Sequence, residues 1–274
     1  MKAIDGKEPT LKADGISWRG AFQLVVPKDH GSWSLALEPV AFGLLVAPSA
    51  AGAALAVAAV SGFFLRRPLK VLLSGKNDSR QALAALESAL LLFAGLAGLL
   101  VAVLLGVPGG WWPLIPATMA GAVFAWCDNR NEARESHAEL AGSMAFGLLP
   151  AAMGSLAGWG AGASLALAGA MLARSIPTVM TLRTSIRIRK GRPHAIGPAL
   201  LASGAGVLAV SCLTFLHLAP LIAMIFAFLL ATRSAWLLLW RPQIPARSMG
   251  ILEAAAGIVM VLALGFSWPV HYAN

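Results

Sequence analysis

Apolar runs of about 15 to 24 residues recur along nearly the whole chain, and no other feature limits its fold as strongly. A helix needs about 20 residues to cross ~30 Å of hydrocarbon. Inside lipid each backbone N–H and C=O has to be answered within the protein, which leaves the helix as the structure open to runs of this length. Nine runs can be drawn, at about 31–47, 50–65, 81–105, 110–127, 137–157, 161–182, 195–213, 217–240 and 248–267. The first two are short, so a re-entrant hairpin competes there with two separate spans. Composition agrees with the runs: 58% hydrophobic residues, 12% charged residues and a mean hydropathy of +0.75 fit no water-soluble class. The expected fold is all-α, a polytopic membrane bundle of about nine helices. Residues 1–27 are expected to form a cytoplasmic N-terminal segment and 28–270 a single transmembrane domain. Residues 1–24 lack the apolar core and small-residue cleavage site of a secretory signal, so the first span is expected to act as its own insertion signal.

All 21 Lys and Arg residues fall in the N-terminal segment or around the connections after runs two, four, six and eight. The connections near 48, 107, 159 and 215, and the tail `WPVHYAN`, contain none. Short loops rich in Lys and Arg stay in the cytoplasm. The pattern therefore predicts a bacterial cytoplasmic (inner) membrane protein with its N-terminus in the cytoplasm and its C-terminus outside. Topology alone then accounts for the net charge of +9, and nucleic acid is not an expected partner. Glu38, Glu87, Glu139 and Glu253 each lie inside a run within about two turns of its basic end, so a polar site is expected to open to the cytoplasm and reach partway into the bilayer. Trp111 and Trp112 read as interface-belt residues at the other end. Cys127 and Cys212 fall near opposite faces, too far apart for a disulfide, and read as packing residues.

Charge inside the runs carries the functional argument. Arg174 and Arg233 lie within the inner half of the membrane, where a charged side chain is costly unless paired or hydrated and is a functional candidate by default. For Arg174 the expected partner is Glu38 or Glu87. Three residues on, Pro177 lacks an N–H, which frees the carbonyl of Ala173 beside the arginine. In `DNRNEARESHAELAG`, helical spacing puts Asp128, Glu132, Glu135 and Glu139 on one stripe, and in `LRTSIRIRKG` it does the same for Arg183, Arg187 and Lys190. The two stripes either neutralise each other at the rim or form a Mg²⁺ or diphosphate site, with Asp128, Glu132 and Glu135 as metal candidates and arginines on phosphate oxygens. Lys28, Arg66, Arg67, Lys70, Arg174, Arg183 and Arg187 form the candidate anion-binding set. His30, Glu38 and Asp128 are the candidates for proton transfer. There is no Gly-rich phosphate loop, zinc-protease His pair or nucleophile elbow.

The combination of `PKDHGSW` before the first run, `RRPLK` after the second, `ARSIPTVMTLRTSIRIRK` closing the sixth and `MGILE` opening the ninth resembles the YwiC-like family of bacterial integral membrane proteins. Nine spans with polar loops after the second and sixth in turn look like the UbiA superfamily of intramembrane prenyltransferases. That resemblance implies an all-helical horseshoe with a cytoplasm-facing cavity open sideways to lipid, and an enzyme or lipid-handling protein acting on an isoprenoid diphosphate or other anionic amphiphile. UbiA enzymes carry Asp-rich motifs in those loops. This chain offers Asp78 in the first and no acid in the second, so Arg and Lys are left to meet the anion. A transporter and a non-catalytic partner of a respiratory complex are the alternatives.

Overall fold

The computed structural model describes residues 30–73, 80–133 and 135–268, without the side chains of residues 30–32, 80 and 246. These residues form ten helices: α1 His30–Val46, α2 Ala50–Leu73, α3 Arg80–Leu105, α4 Leu114–Asn129, α5 Ser136–Gly147, α6 Leu149–Leu156, α7 Ala161–Arg189, α8 Gly197–Phe215, α9 Leu221–Leu239 and α10 Ala246–Ser267. The helices fall on the nine apolar runs. Six of them, α2, α3, α7, α8, α9 and α10, are long and apolar enough to cross a membrane, and α1 contains a shorter apolar helix over Trp33–Val46.

The hydrogen-bond ladder of the expected fifth span is interrupted, which divides the span into α5 and α6 at Leu148. Pro150 stands in the first turn of α6 and has no N–H to offer the preceding turn, so the ladder is interrupted there while Leu148 keeps helical dihedrals, φ −84° and ψ −16°. Prolines are tolerated inside α1 (Pro39), α2 (Pro68) and α7 (Pro177).

Helix α7 is the hub. In its most apolar window 61% of residues are buried, against 17 to 33% in the other five candidate spans. It packs on α5, α6, α8 and α9 and touches α1, while α1 packs on α6 and α10 and α2 lies against α3. Lipid provides no hydrophobic drive between helices, so small residues and polar contacts decide how closely they approach. Gly206 of α8 illustrates this: a Cβ there would lie 3.1 Å from the Ala173 carbonyl oxygen, the acceptor that Pro177 leaves without its helical N–H.

Phe42, Met171 and Leu264 form the core between α1, α7 and α10, with Trp268 edge-on to Phe42 at 5.4 Å between ring centroids. A second core joins Val40, Leu55, Met153 and Leu156. Phe93, Leu104, Leu201, Leu208 and Phe266 project outward, as a lipid-facing surface requires and a water-facing one would not.

Candidate functional site: buried charges and a basic rim

Four helices each bring one charged residue to a single buried cluster: Glu38 on α1, Arg174 on α7, Arg233 on α9 and Glu253 on α10. Arg174 grips Glu38 with both edges of its fork, Nε donating to Oε2 at 2.6 Å and Nη2 to Oε1 at 3.0 Å. The same Nη2 donates to the backbone carbonyl of Glu253 at 3.0 Å, and Arg233 Nη1 donates to the Glu253 carboxylate at 2.9 Å. Ser34, one turn before Glu38, donates its hydroxyl to Glu38 Oε1. Two guanidinium and two carboxylate groups give a formally neutral set, the condition under which ionised groups persist at this depth. Arg174 also borders a cavity of about 10 Å³ lined by Ala173, Val210, Leu230 and Met260, roughly the room of one water.

A glycine makes the cluster possible. A Cβ on Gly257 of α10 would lie 1.8 Å from Glu38 Oε1 and 2.4 Å from Arg174 Nη2. The ion pair occupies the space that any other residue would fill. Of the two partners expected for Arg174, the structure supplies Glu38; Glu87 lies on α3, outside the cluster.

The remaining charges gather around helix ends at one rim. Arg66 of α2 holds Asp128 at the end of α4 in two hydrogen bonds, Nε to Oδ2 at 2.6 Å and Nη2 to Oδ1 at 3.1 Å, and its guanidinium lies 4.9 Å from the Phe124 ring centre. Lys70 reaches the same carboxylate and the Asp128 carbonyl, both at 3.3 Å. Burial pushes the Asp128 carboxyl up, but the hydrogen bonds and charges of Arg66 and Lys70 outweigh it and hold the group below its ordinary value. This clasp stabilises the fold above the ordinary aspartate range, and the contribution is lost as pH falls through the lowered value. Arg183 of α7 reaches Glu139 at 2.9 Å and Glu135 at 3.4 Å, so the acidic and basic stripes do neutralise each other in part. Arg187 turns to the Pro193 carbonyl at 3.0 Å.

The candidate anion set is thus divided among separate partners. Arg66 and Lys70 serve Asp128, Arg174 serves Glu38, Arg183 serves Glu135 and Glu139, and Arg67 makes contacts of its own. Lys28, Asp78 and the His30 side chain lie outside the described residues. The metal candidates Asp128, Glu132 and Glu135 are not gathered either, because the first and last answer different arginines. Of the two cysteines Cys127 is buried and Cys212 is exposed.

A group that the sequence did not single out forms a cleft at the ends of α7 and α9. Ser185, Ile188 and Arg189 face Leu237, Arg241, Pro242 and Gln243 across about 180 Å³. Arg189 is fixed by donating to the Ile244 carbonyl. Arg241 is held at φ +51°, a left-handed conformation uncommon for a non-glycine residue.

Residues 26–153 match the family described as YwiC-like protein. Over that stretch the chain is similar to the YwiC-like family. No curated protein and no solved structure matches it. The matched segment carries Glu38, Arg66, Lys70, Asp128, Glu135 and Glu139, whereas Arg174, Arg183, Arg233 and Glu253 come from the C-terminal part of the chain. The buried cluster and the Arg183 pair therefore join the matched segment to that C-terminal part.

Proposed function

We propose that this polytopic membrane protein handles an anionic amphiphile, taking its head group at the basic rim from the cytoplasmic side; an isoprenoid diphosphate is one member of that class. The carrying observation is the cleft between α7 and α9. It offers the Arg189 and Arg241 guanidinium groups with the Ser185 hydroxyl and the Gln243 amide across about 180 Å³, room for a phosphate-sized group but not for a lipid tail. The tail has an apolar flank beside it: Trp240, 74% exposed, adjoins Arg241 in the chain, and Leu239 precedes it. An aromatic ring next to a charged mouth is the arrangement found where lipid meets water.

The UbiA-like arrangement, a horseshoe around a cytoplasm-facing cavity, belongs to this reading and is supported by the nine-run layout and by polar ends after α2 and α7. The donor set does not fit the Mg²⁺ that diphosphate chemistry would call for. Asp128 is occupied by Arg66 and Lys70, and Glu135 faces Arg183. The reading is therefore one of binding, with guanidinium groups meeting the anion directly.

Organic extraction of the purified full chain followed by mass spectrometry tests it. A phosphate-bearing amphiphile enriched well above its share of the surrounding membrane is the expected result. Phospholipids in the same proportions as the membrane would refute the reading.

A further inference from the structure

Helix α4 ends in a turn whose geometry brings two metal-ligating side chains together, and α5 begins by adding a third. Asn131 stands at φ +62°, its N–H donates to the Asp128 carbonyl at 3.0 Å, and the N–H of Glu132 donates to the Cys127 carbonyl at 2.9 Å. This pair of bonds defines a Schellman cap, in which the residue two past the cap commonly makes an apolar contact with the residue three before it. The cap of α8 follows that rule: Leu218 N–H donates to the Leu213 carbonyl at 2.8 Å, with His217 at φ +56°, and both positions carry leucine. At the end of α4 the corresponding positions are Cys127 and Glu132. A thiol and a carboxylate stand where two apolar side chains would ordinarily meet.

The chain then turns into α5, whose second residue is His137. Its Nε2 lies 3.9 Å from Glu132 Oε2, and the ligand atoms of Cys127, Glu132 and His137 all lie within 4.8 Å of one another. A tetrahedral ion with a sulfur ligand at ~2.3 Å and nitrogen and oxygen ligands at ~2.0 Å sets its donors roughly 3.3 to 3.7 Å apart. The contraction required is about 1.5 Å at most. It falls on the two movable members: the Glu132 and His137 side chains are 45% and 57% exposed, whereas Cys127 is fully buried in α4.

We propose that Cys127, Glu132 and His137 form a binding site for a thiophilic divalent cation of the zinc class at the charged rim, with three protein ligands and a fourth position open to solvent. One soft sulfur, one imidazole nitrogen and one carboxylate oxygen suit zinc and disfavour Mg²⁺ or Ca²⁺, which take oxygen ligands alone. Asp128, next in the chain to Cys127, is not available as the fourth ligand, because Arg66 and Lys70 hold it. The bound ion would tie the last turn of α4 to the first turn of α5 through a connection of a few residues. This proposal is independent of the amphiphile cleft, which lies at the ends of α7 and α9.

The test uses the full chain in detergent, freed of any affinity tag and stripped with a chelator. Zn²⁺ binding is followed by calorimetry, and Co²⁺ is used as the optical probe. One ion per chain is expected, together with a thiolate-to-Co²⁺ charge-transfer band. Cys127→Ser should abolish the band, and His137→Gln, at an exposed position that leaves the fold alone, should weaken Zn²⁺ binding at least about tenfold. Cys212→Ser should change neither. The site is refuted if the wild-type chain binds no Zn²⁺, or if His137→Gln binds it as tightly as wild type while Cys127→Ser keeps the band.

Discussion

The buried cluster and the rim clasps are built from the same side chains and behave as different materials. Arg174 is 3% exposed and meets Glu38 away from bulk solvent, whereas Arg183 is partly open to solvent and meets Glu135 and Glu139 at the surface. In water an exposed ion pair contributes roughly 0 to 1 kcal/mol, because both partners are already well solvated and lose side-chain freedom on pairing. In the bundle neither partner has that alternative, so losing one strands the other at a cost of about 3 to 5 kcal/mol. Depth decides which arginines specify the fold and which remain free to serve a ligand. By this criterion the Glu38–Arg174–Glu253–Arg233 cluster fixes how α1, α7, α9 and α10 meet, and the exposed Arg189 and Arg241 are the residues to which the proposed function assigns an incoming anion.

Breaking the buried pair from one side should have the largest effect. Glu38→Leu leaves a guanidinium that stays ionised, and a loss of about 3 to 5 kcal/mol is expected in thermal unfolding of the detergent-solubilised chain. Arg174→Leu should cost clearly less, because the carboxyl left behind can be neutralised by a proton. Combining the two substitutions should recover most of the loss, since an apolar pair removes the desolvation penalty as well as the attraction. Equal losses from both single variants, with no recovery in the double, would show that the pair is not a coupled unit.

Next in size is Gly257→Ala, which pushes a methyl group into the pair. Overpacking a filled interior costs about 1 to 3 kcal/mol, and a contact as close as 1.8 Å to Glu38 Oε1 places this variant at the upper end. The effect should largely vanish in the Glu38→Ala/Arg174→Ala background, which removes both groups the methyl would meet; the same unfolding measurement decides this. Asp128→Asn sharpens the comparison at an intermediate depth. Asp128 is buried but its partners Arg66 and Lys70 are half-open to solvent, so about 1.5 kcal/mol is expected. Arg183→Ala should cost less than about 1 kcal/mol, and raising the salt concentration should shrink even that difference.

Much of this arrangement is legible in the chain, and what escapes a reading of the chain has a common cause. Runs of apolar residues locate the helices because length and hydropathy are local properties, and the same reasoning makes Arg174 costly enough to require a carboxylate, although the choice of Glu38 over Glu87 comes only from the structure. The break at Leu148 is also written locally, in Pro150, but an apolar run hides a proline that does not change its hydropathy. Gly257 carries no signal in the sequence, since its role depends on a pair of side chains from two other helices. Arg233 and Glu253 each stand out as charges inside apolar runs, yet their pairing requires knowing that α9 and α10 are neighbours. Arg189 and Arg241 show only topology, because the 51 residues between them conceal the cleft they share. Cys127 and Glu132 are close in the chain, but their side chains meet only because Asn131 adopts a left-handed turn.

The most direct test of the division between deep and rim charges is the amount of anionic amphiphile retained per chain, measured by quantitative mass spectrometry in three forms side by side: wild type, Arg189→Ala/Arg241→Ala, and Glu38→Leu/Arg174→Leu. Retention should fall by at least about tenfold in the rim variant, as expected for the loss of two charge-assisted contacts, and stay near the wild-type level in the buried one. Full retention in the rim variant together with loss in a still-folded buried variant would contradict it, and would move the anion from the cleft to the heart of the bundle.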